Sequence, residues 1–225
     1  MTTNHHIYAV KNLLSHGASS DDFSYSNRLI LHFLETSRAF LIERKADKYT
    51  YISDQSFQSW CTDLELGSYH SCCDITSTCK GLKSVLNIPK FLNTRWGPFI
   101  KVTDLDGNIV SHTSPTSHKY SKYALNSQPK IGWYINDNHL FIVGNMDLKK
   151  VLITALWASP IEIMQANCAV NTDLTCPDLF EEEFPIDVDL IAPMYEMTLK
   201  FLSPYLLTKK DDTNDQKDGI QANTK

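Results

Sequence analysis

The sequence contains no glycine-rich phosphate-binding loop of either common kind, and only eight of its 225 residues are glycine. The metalloprotease signature H-E-x-x-H and the nucleophile elbow G-x-S-x-G are also missing. These absences exclude the common nucleotide-binding and hydrolase motifs. We therefore expect no catalytic site and no cofactor.

Long apolar runs and a basic surface are missing as well. No stretch approaches the roughly 20 uninterrupted apolar residues that cross a bilayer. The chain begins Met-Thr-Thr-Asn-His-His, which has neither the basic nor the apolar region of a secretory signal. The formal net charge of -5 argues against a dedicated nucleic-acid binder, because such proteins carry a basic face. We expect a protein of the cytosol with no membrane partner.

The cysteines are best explained as buried, reduced thiols, since an unsecreted chain rarely holds disulfides. Cys72, Cys73 and Cys79 lie near His70, but their spacing is not that of the usual zinc knuckle, in which C-x2-C directs two thiolates at one ion. A metal site and a disulfide are the alternatives. The six cysteines are Cys61, Cys72, Cys73, Cys79, Cys168 and Cys176.

A long amphipathic helix is the clearest positive feature. Capping residues and acids at 18–22 predict its start, and apolar residues recur from Phe23 at helical spacing to about Lys48. We expect its charges on the outer face, as a solvated surface or as half of a charged seam between subunits. These residues are Glu35, Arg38, Glu43, Arg44, Lys45, Asp47 and Lys48.

The middle of the chain predicts antiparallel β structure. Asp106-Gly107 and Asn136–Asn138 are turn signals between apolar runs. The two predicted hairpins pair residues 99–102 with 108–110 and 132–135 with 139–143, and a further strand covers 151–157. The polar loop 111–129 between the hairpins is of the kind that projects from a scaffold.

The last third predicts a second amphipathic helix, from Leu190 to about Leu207, after the acidic run Glu181–Glu183. We therefore predict an α+β fold in which long N- and C-terminal helices form a helical bundle with an inserted antiparallel β module. The predicted parts are an N-terminal helical part (1–56), the β module (57–160), a C-terminal helical part completing the bundle (161–207) and a disordered tail (208–225).

Several segments, taken in order, resemble a known family. They are SDDFSYSNRLILHFLETSRAFLIERKADK, QSFQSWCTDLELGSYHSCC, LKSVLNIPKFL, the hairpin pair and VLITALWASP. This order resembles the head-to-tail adaptor, a virion structural ring protein of crAss-like and related short-tailed bacteriophages. The resemblance covers roughly residues 20–160.

The resemblance implies a dodecameric ring that docks below the portal and extends the DNA channel toward the tail. The implied partners are the portal protein, further tail or ring proteins and other copies of the chain, with packaged DNA passing through unbound. The implied location is the head–tail junction of the virion, with host cytoplasm during assembly. The alternatives are a non-catalytic ligand- or protein-binding module using the 111–129 loop, and a thiol- or metal-dependent enzyme built on residues 70–79.

Charged residues are the candidates for the contacts of such a ring. A closed ring of identical subunits needs two different, complementary surfaces on each copy. The opposite charges of the long helix and of Glu181–Glu183 offer such a pair, and the polar tail offers a docking arm. The predicted interface residues are Glu35, Arg38, Arg44, Lys45, Glu181, Glu182, Glu183, Lys209, Lys210 and Ile220.

Overall fold

The computed structural model of the chain describes residues 1–15, 25–48, 50–68, 80–94, 97–98, 100–114, 131–170, 178 and 180–207. The helices in these ranges are α1 (Thr3–Leu14), α2 (Asn27–Asp47), α3 (Pro160–Val170) and α4 (Ile191–Leu207), with short 3-10 helices at Asp54–Ser56 and Val188–Leu190. The strands are β1 (Gln58–Ser68), β2 (Lys80–Ser84), β3 (Asn93–Thr94), β4 (Gly97–Pro98), β5 (Ile100–Thr103), β6 (Ile109–His112), β7 (Gly132–Asn136), β8 (His139–Val143) and β9 (Lys150–Ala155).

Seven of the strands close into a barrel in the order β1-β2-β8-β7-β6-β5-β9, while β3 and β4 form a separate two-stranded sheet. β1 closes the barrel because it is long enough to pair with two neighbours. Its first part, 58–63, pairs with β9, and its second part, 64–68, pairs with β2. Neighbouring strands in the barrel are antiparallel except β6 and β7, which are parallel.

Both predicted hairpins are confirmed, as β5–β6 and β7–β8. Gly107 has φ +88°, a left-handed conformation that glycine adopts without a Cβ clash. Asp104 holds the same turn, since its carboxylate accepts a hydrogen bond from the Asn108 amide at 2.7 Å. Asp137 and Asn138 have φ +48° and +60°, as the two-residue turn between β7 and β8 requires.

The barrel interior is apolar and closely filled. Trp60 and Trp157 meet edge to face with ring centroids 6.2 Å apart. Ile163 of α3 joins the same hydrophobic cluster, so α3 packs directly on the barrel. The other buried members are Leu82, Ile88, Val102, Val110, Trp133, Leu140, Ile142, Val151, Ile153 and Ala155.

Helices α1, α2 and α4 form a layer around a second hydrophobic cluster. This cluster includes Leu34 of α2 and Met194 of α4, together with Leu92 and Leu156 from the barrel part of the chain. Leu92 and Leu156 are joined by a backbone hydrogen bond of 2.8 Å. The helices therefore bury their apolar faces partly against residues that flank the barrel strands.

The predicted helical bundle with an inserted antiparallel β module is wrong. The structure is instead a closed seven-stranded barrel, with one parallel pair, against which helices pack. The individual hairpins are local features that turn residues reveal. Closure joins β1 to β9 across about a hundred residues, and periodicity carries no signal for pairing at that separation.

The helix boundaries also differ from prediction. α2 begins at Asn27, because the Ser26 hydroxyl caps it by accepting from the Leu29 amide at 3.2 Å. α4 agrees with the predicted helix and continues past Pro204. We did not predict α3, although Ser159, Pro160 and Glu162 form an N-terminal capping sequence and the Ser159 hydroxyl accepts from the Glu162 amide at 3.2 Å.

Candidate assembly surfaces

Helix α2 carries two rows of residues, each with a spacing of four. The buried row is Ile30, Leu34, Arg38, Ile42 and Ala46. The second row, which we call the exposed row, lies two positions earlier and is Arg28, His32, Thr36, Phe40, Arg44 and the C-cap residue Lys48. A step of two residues turns a helix by about 200°, so each residue of the exposed row lies nearly opposite the buried residue two positions after it, while both rows wind around α2 by about 40° per step of four.

Arg38 is a fully buried cation in the first of these rows. Its guanidinium donates three hydrogen bonds to backbone carbonyl oxygens: Nε to Pro185 at 2.5 Å, Nη1 to Trp157 at 2.8 Å and Nη2 to Ser56 at 3.1 Å. Burial lowers the pKa of Arg38 to about 10, opposed by the carboxylates of Glu35 and Asp187, so the side chain stays charged near neutral pH. The prediction that Arg38 lies on the outer face of α2 is therefore wrong.

Asp187 is the acidic residue of the same region, which we call the joint between Arg38 and Asp187. Its carboxylate accepts from Lys45 Nζ at 2.7 Å, from Ser56 Oγ at 2.6 Å and from both the amide and the hydroxyl of Ser53. Burial acts to raise the pKa of Asp187, but the hydrogen bonds from Lys45, Ser53 and Ser56 outweigh it and hold that pKa below its usual value. Sequence analysis missed Asp187, because it sits in a segment that was interpreted only as a helix entry.

Lys45 and Glu35, two of the predicted interface residues, make contacts within the chain. Lys45 Nζ lies 2.7 Å from Asp187 and 2.9 Å from Asp189, which joins α2 to the start of α4. Glu35 accepts a hydrogen bond of 2.6 Å from the hydroxyl of Ser159, the residue that caps α3. Both side chains therefore help to position α2 on the rest of the subunit.

The predicted acidic residues form a turn, Glu181–Glu183, which we call the acidic turn. Its backbone is fixed against the start of α1, since the Thr3 amide donates to the Glu182 carbonyl at 2.9 Å and the Phe184 amide to the Met1 carbonyl at 3.0 Å. The side chains of Glu181 and Glu183 are exposed. The turn therefore presents carboxylates from a well-anchored backbone.

Exposed cations lie at the C-terminal end of α2. Arg44 and Lys48 are exposed, and Phe40, one turn earlier on the same row, is 46% exposed. Within the described ranges, no ion pair involves Arg44, Lys48 or any residue of the acidic turn. Among the described residues, neither charged surface is therefore engaged in an ion pair.

The remaining predicted residues belong to other parts of the chain. Lys209, Lys210 and Ile220 lie outside the described residues, as do Cys72, Cys73, Cys79 and most of the 111–129 loop. Cys61 is a free thiol. Among the residues that are described, no group of three or more His, Cys, Asp or Glu side chains is placed to hold a metal ion, and no helix is long and apolar enough to cross a membrane.

Comparison with known proteins gives two matches. The family of phage tail ring protein 2 matches residues 5–220 of the chain. Ring protein 2 of Bacteroides phage crAss001 is 27% identical over 232 residues, covering 98% of this chain and 98% of that protein. These matches confirm the resemblance to crAss-like ring proteins. The chain belongs to the family of phage tail ring protein 2 and is a ring protein of the crAss-like phage type.

Proposed function

We propose that this ring protein is a head–tail connector: a non-enzymatic component of the virion that docks below the portal and prolongs the DNA channel toward the tail. The observation that carries the proposal is the presence of two oppositely charged surfaces that form no ion pair among the described residues, in a chain that matches a ring family over 5–220. A ring of identical copies uses two different surfaces on each copy.

The joint at Arg38 and Asp187 supports this role. It ties α2 to the end of β9, to the 3-10 helix at 54–56 and to the segment that leads into α4. A ring closes only if each contact repeats the same rotation, so the two contact surfaces must keep a constant relative orientation. A buried cation that holds three backbone carbonyls supplies that rigidity.

The charge of the chain suits a channel through which DNA slides. Tight DNA binding requires many Lys and Arg residues that displace counterions from phosphates. The sequence has 21 basic and 26 acidic residues, and its net charge is -5. DNA would therefore pass such a ring without being retained. Assembly in the host cytoplasm and incorporation at the head–tail junction follow from the same proposal.

Mass photometry of the purified chain, alone and with the portal protein of the same phage, tests the connector role. We expect about twelve copies to add to each portal, the number that the family resemblance implies. A monomer in isolation is compatible with the proposal, because a portal can template the ring. Failure to associate with the portal at every salt concentration would contradict it.

A loop deletion separates the connector from a ligand-binding module. A variant lacking residues 115–128 removes most of the polar loop 111–129. The connector should still add to the portal with unchanged stoichiometry. A module that recognises its partner through this loop would lose binding, and that result would favour the alternative.

A further inference from the structure

We propose that neighbouring copies in the ring contact each other through Phe40, Arg44 and Lys48 on one copy and the acidic turn Glu181–Glu183 on the next. The proposal rests on the ring function proposed above and assigns the two surfaces that form its repeating contact. The partner is a second copy of this chain.

The first surface is compact. Phe40, Arg44 and Lys48 follow one another at a spacing of four residues, so they span about 80° of the helix circumference and about 12 Å of its length. Phe40 adds a partly exposed aromatic ring one turn before Arg44. Asp47 flanks the cations, and the half-buried Glu43 lies beside them. Exposed aromatic and Arg side chains are enriched at protein interfaces.

The second surface has the complementary charge. The acidic turn holds three consecutive carboxylates; the side-chain amide of Asn4 donates to the Glu181 carboxylate at 3.1 Å, and the Thr3 hydroxyl donates to the Glu182 carbonyl at 3.3 Å. Its backbone is held by the hydrogen bonds to residues 1–4. A charged surface that is already ordered loses little conformational entropy when a partner binds.

No ion pair among the described residues joins the two surfaces within one copy. The acidic turn leads through Phe184 into Pro185, whose carbonyl oxygen lies 2.5 Å from Arg38 Nε, on the buried side of α2. Arg44 lies six residues after Arg38, about 120° around the helix from it, and its side chain is exposed. The charges of both surfaces are therefore available to another copy, in the head-to-tail arrangement that closes a ring.

Two complementary variants test the contact. Arg44→Glu with Lys48→Glu places acids opposite the acidic turn, and Glu181→Lys with Glu183→Lys places cations opposite Arg44 and Lys48. Each variant alone faces like charges at every contact. We expect each to bind its neighbour at least about tenfold more weakly per contact, equivalent to about 1.4 kcal/mol. Fewer copies should then be counted on each portal by mass photometry.

Mixing the two variants in equal amounts should restore the ring. In an alternating ring, the new acids of one variant face the new lysines of the other, while the native cations of the second face the native acids of the first. Every contact then joins opposite charges, which requires an even number of copies. An effect confined to single subunits would not be repaired by mixing.

Arg28→Glu with Lys200→Glu is the matched control. It makes the same change in net charge at two other exposed positions. Arg28 shares the exposed row, but it lies 16 residues before Arg44, about 24 Å away and about 160° around the helix. The control should assemble like the wild-type chain. Circular dichroism and thermal unfolding of each variant establish that it is folded.

The outcomes separate the contact from the ring function. Loss in both single variants, recovery in the mixture and a normal control establish the contact. If the wild-type ring forms but the mixture stays as weak as its components, or the control loses as much, the contact is wrong and the ring function stands. If the wild-type chain forms no ring on the portal, the ring function is wrong and the contact is wrong with it.

Discussion

Arg38 joins three separate segments of the chain through buried hydrogen bonds, and Arg38→Met tests how much they contribute to stability. The replacement keeps an unbranched side chain but removes the donors for the carbonyl oxygens of Ser56, Trp157 and Pro185. Each buried carbonyl left unpaired costs about 1–3 kcal/mol. Removing the buried cation also removes its own desolvation cost, which offsets part of that loss. We expect the free energy of unfolding to fall by about 3–5 kcal/mol.

Urea unfolding followed by tryptophan fluorescence measures this loss, because Trp157 adjoins the guanidinium through its carbonyl group. Arg28→Met on the exposed row is the control and should change the free energy of unfolding by less than about 0.5 kcal/mol. Arg38→Lys should fall between the two, since one ammonium does not reach three separate carbonyls as a planar guanidinium does. A loss below about 1 kcal/mol for Arg38→Met would refute the joint as we describe it.

Three further predictions concern protonation and the C-terminus. The depressed pKa of Asp187 stabilises the fold above about pH 4, the unfolded value, and this stabilisation is lost as the pH falls through the lower folded pKa. Asp187→Asn should therefore flatten the fall in unfolding free energy between pH 7 and pH 3. An unchanged slope would contradict this role of Asp187. Burial, the N-terminal charge and His5 lower the pKa of His6 to about 4, so stability should decrease by up to about 3 kcal/mol as the pH falls from 6.5 to 4. His6→Phe should remove that decrease, as measured by urea unfolding at each pH. Deletion of 208–225, whose only large apolar residue is Ile220, should leave the unfolding free energy unchanged and weaken docking to the portal, which mass photometry measures.

The prediction of the helical charges shows where sequence reasoning stops. The apolar positions of α2 were recognised. Glu35, Glu43 and Lys45 are partly buried, and Arg44, Asp47 and Lys48 were correctly placed on the exposed surface. Arg38 was not, because a cation at a buried position is normally excluded unless hydrogen-bond acceptors meet it. Those acceptors are backbone carbonyls, which every residue carries, so no residue type in the sequence marks them.

The α3 capping sequence shows the opposite case. Ser159, Pro160 and Glu162 carried a local signal for a helix start, and it was interpreted only as the end of a strand. The cysteine cluster at 72–79 and the tail at 208–225 lie outside the described residues, so their predicted roles remain predictions.

The sequence by itself determined the two hairpin turns, the second amphipathic helix and the apolar rows of α2, because turn conformation and helical periodicity depend on residues a few positions apart. Its order of segments also determined the family. Only the tertiary structure decided that the strands close into a barrel, that Arg38 lies inside and that Asp187 meets Lys45. These features depend on contacts such as that between Arg38 and Pro185, 147 positions apart, where chain folding alone selects which groups meet.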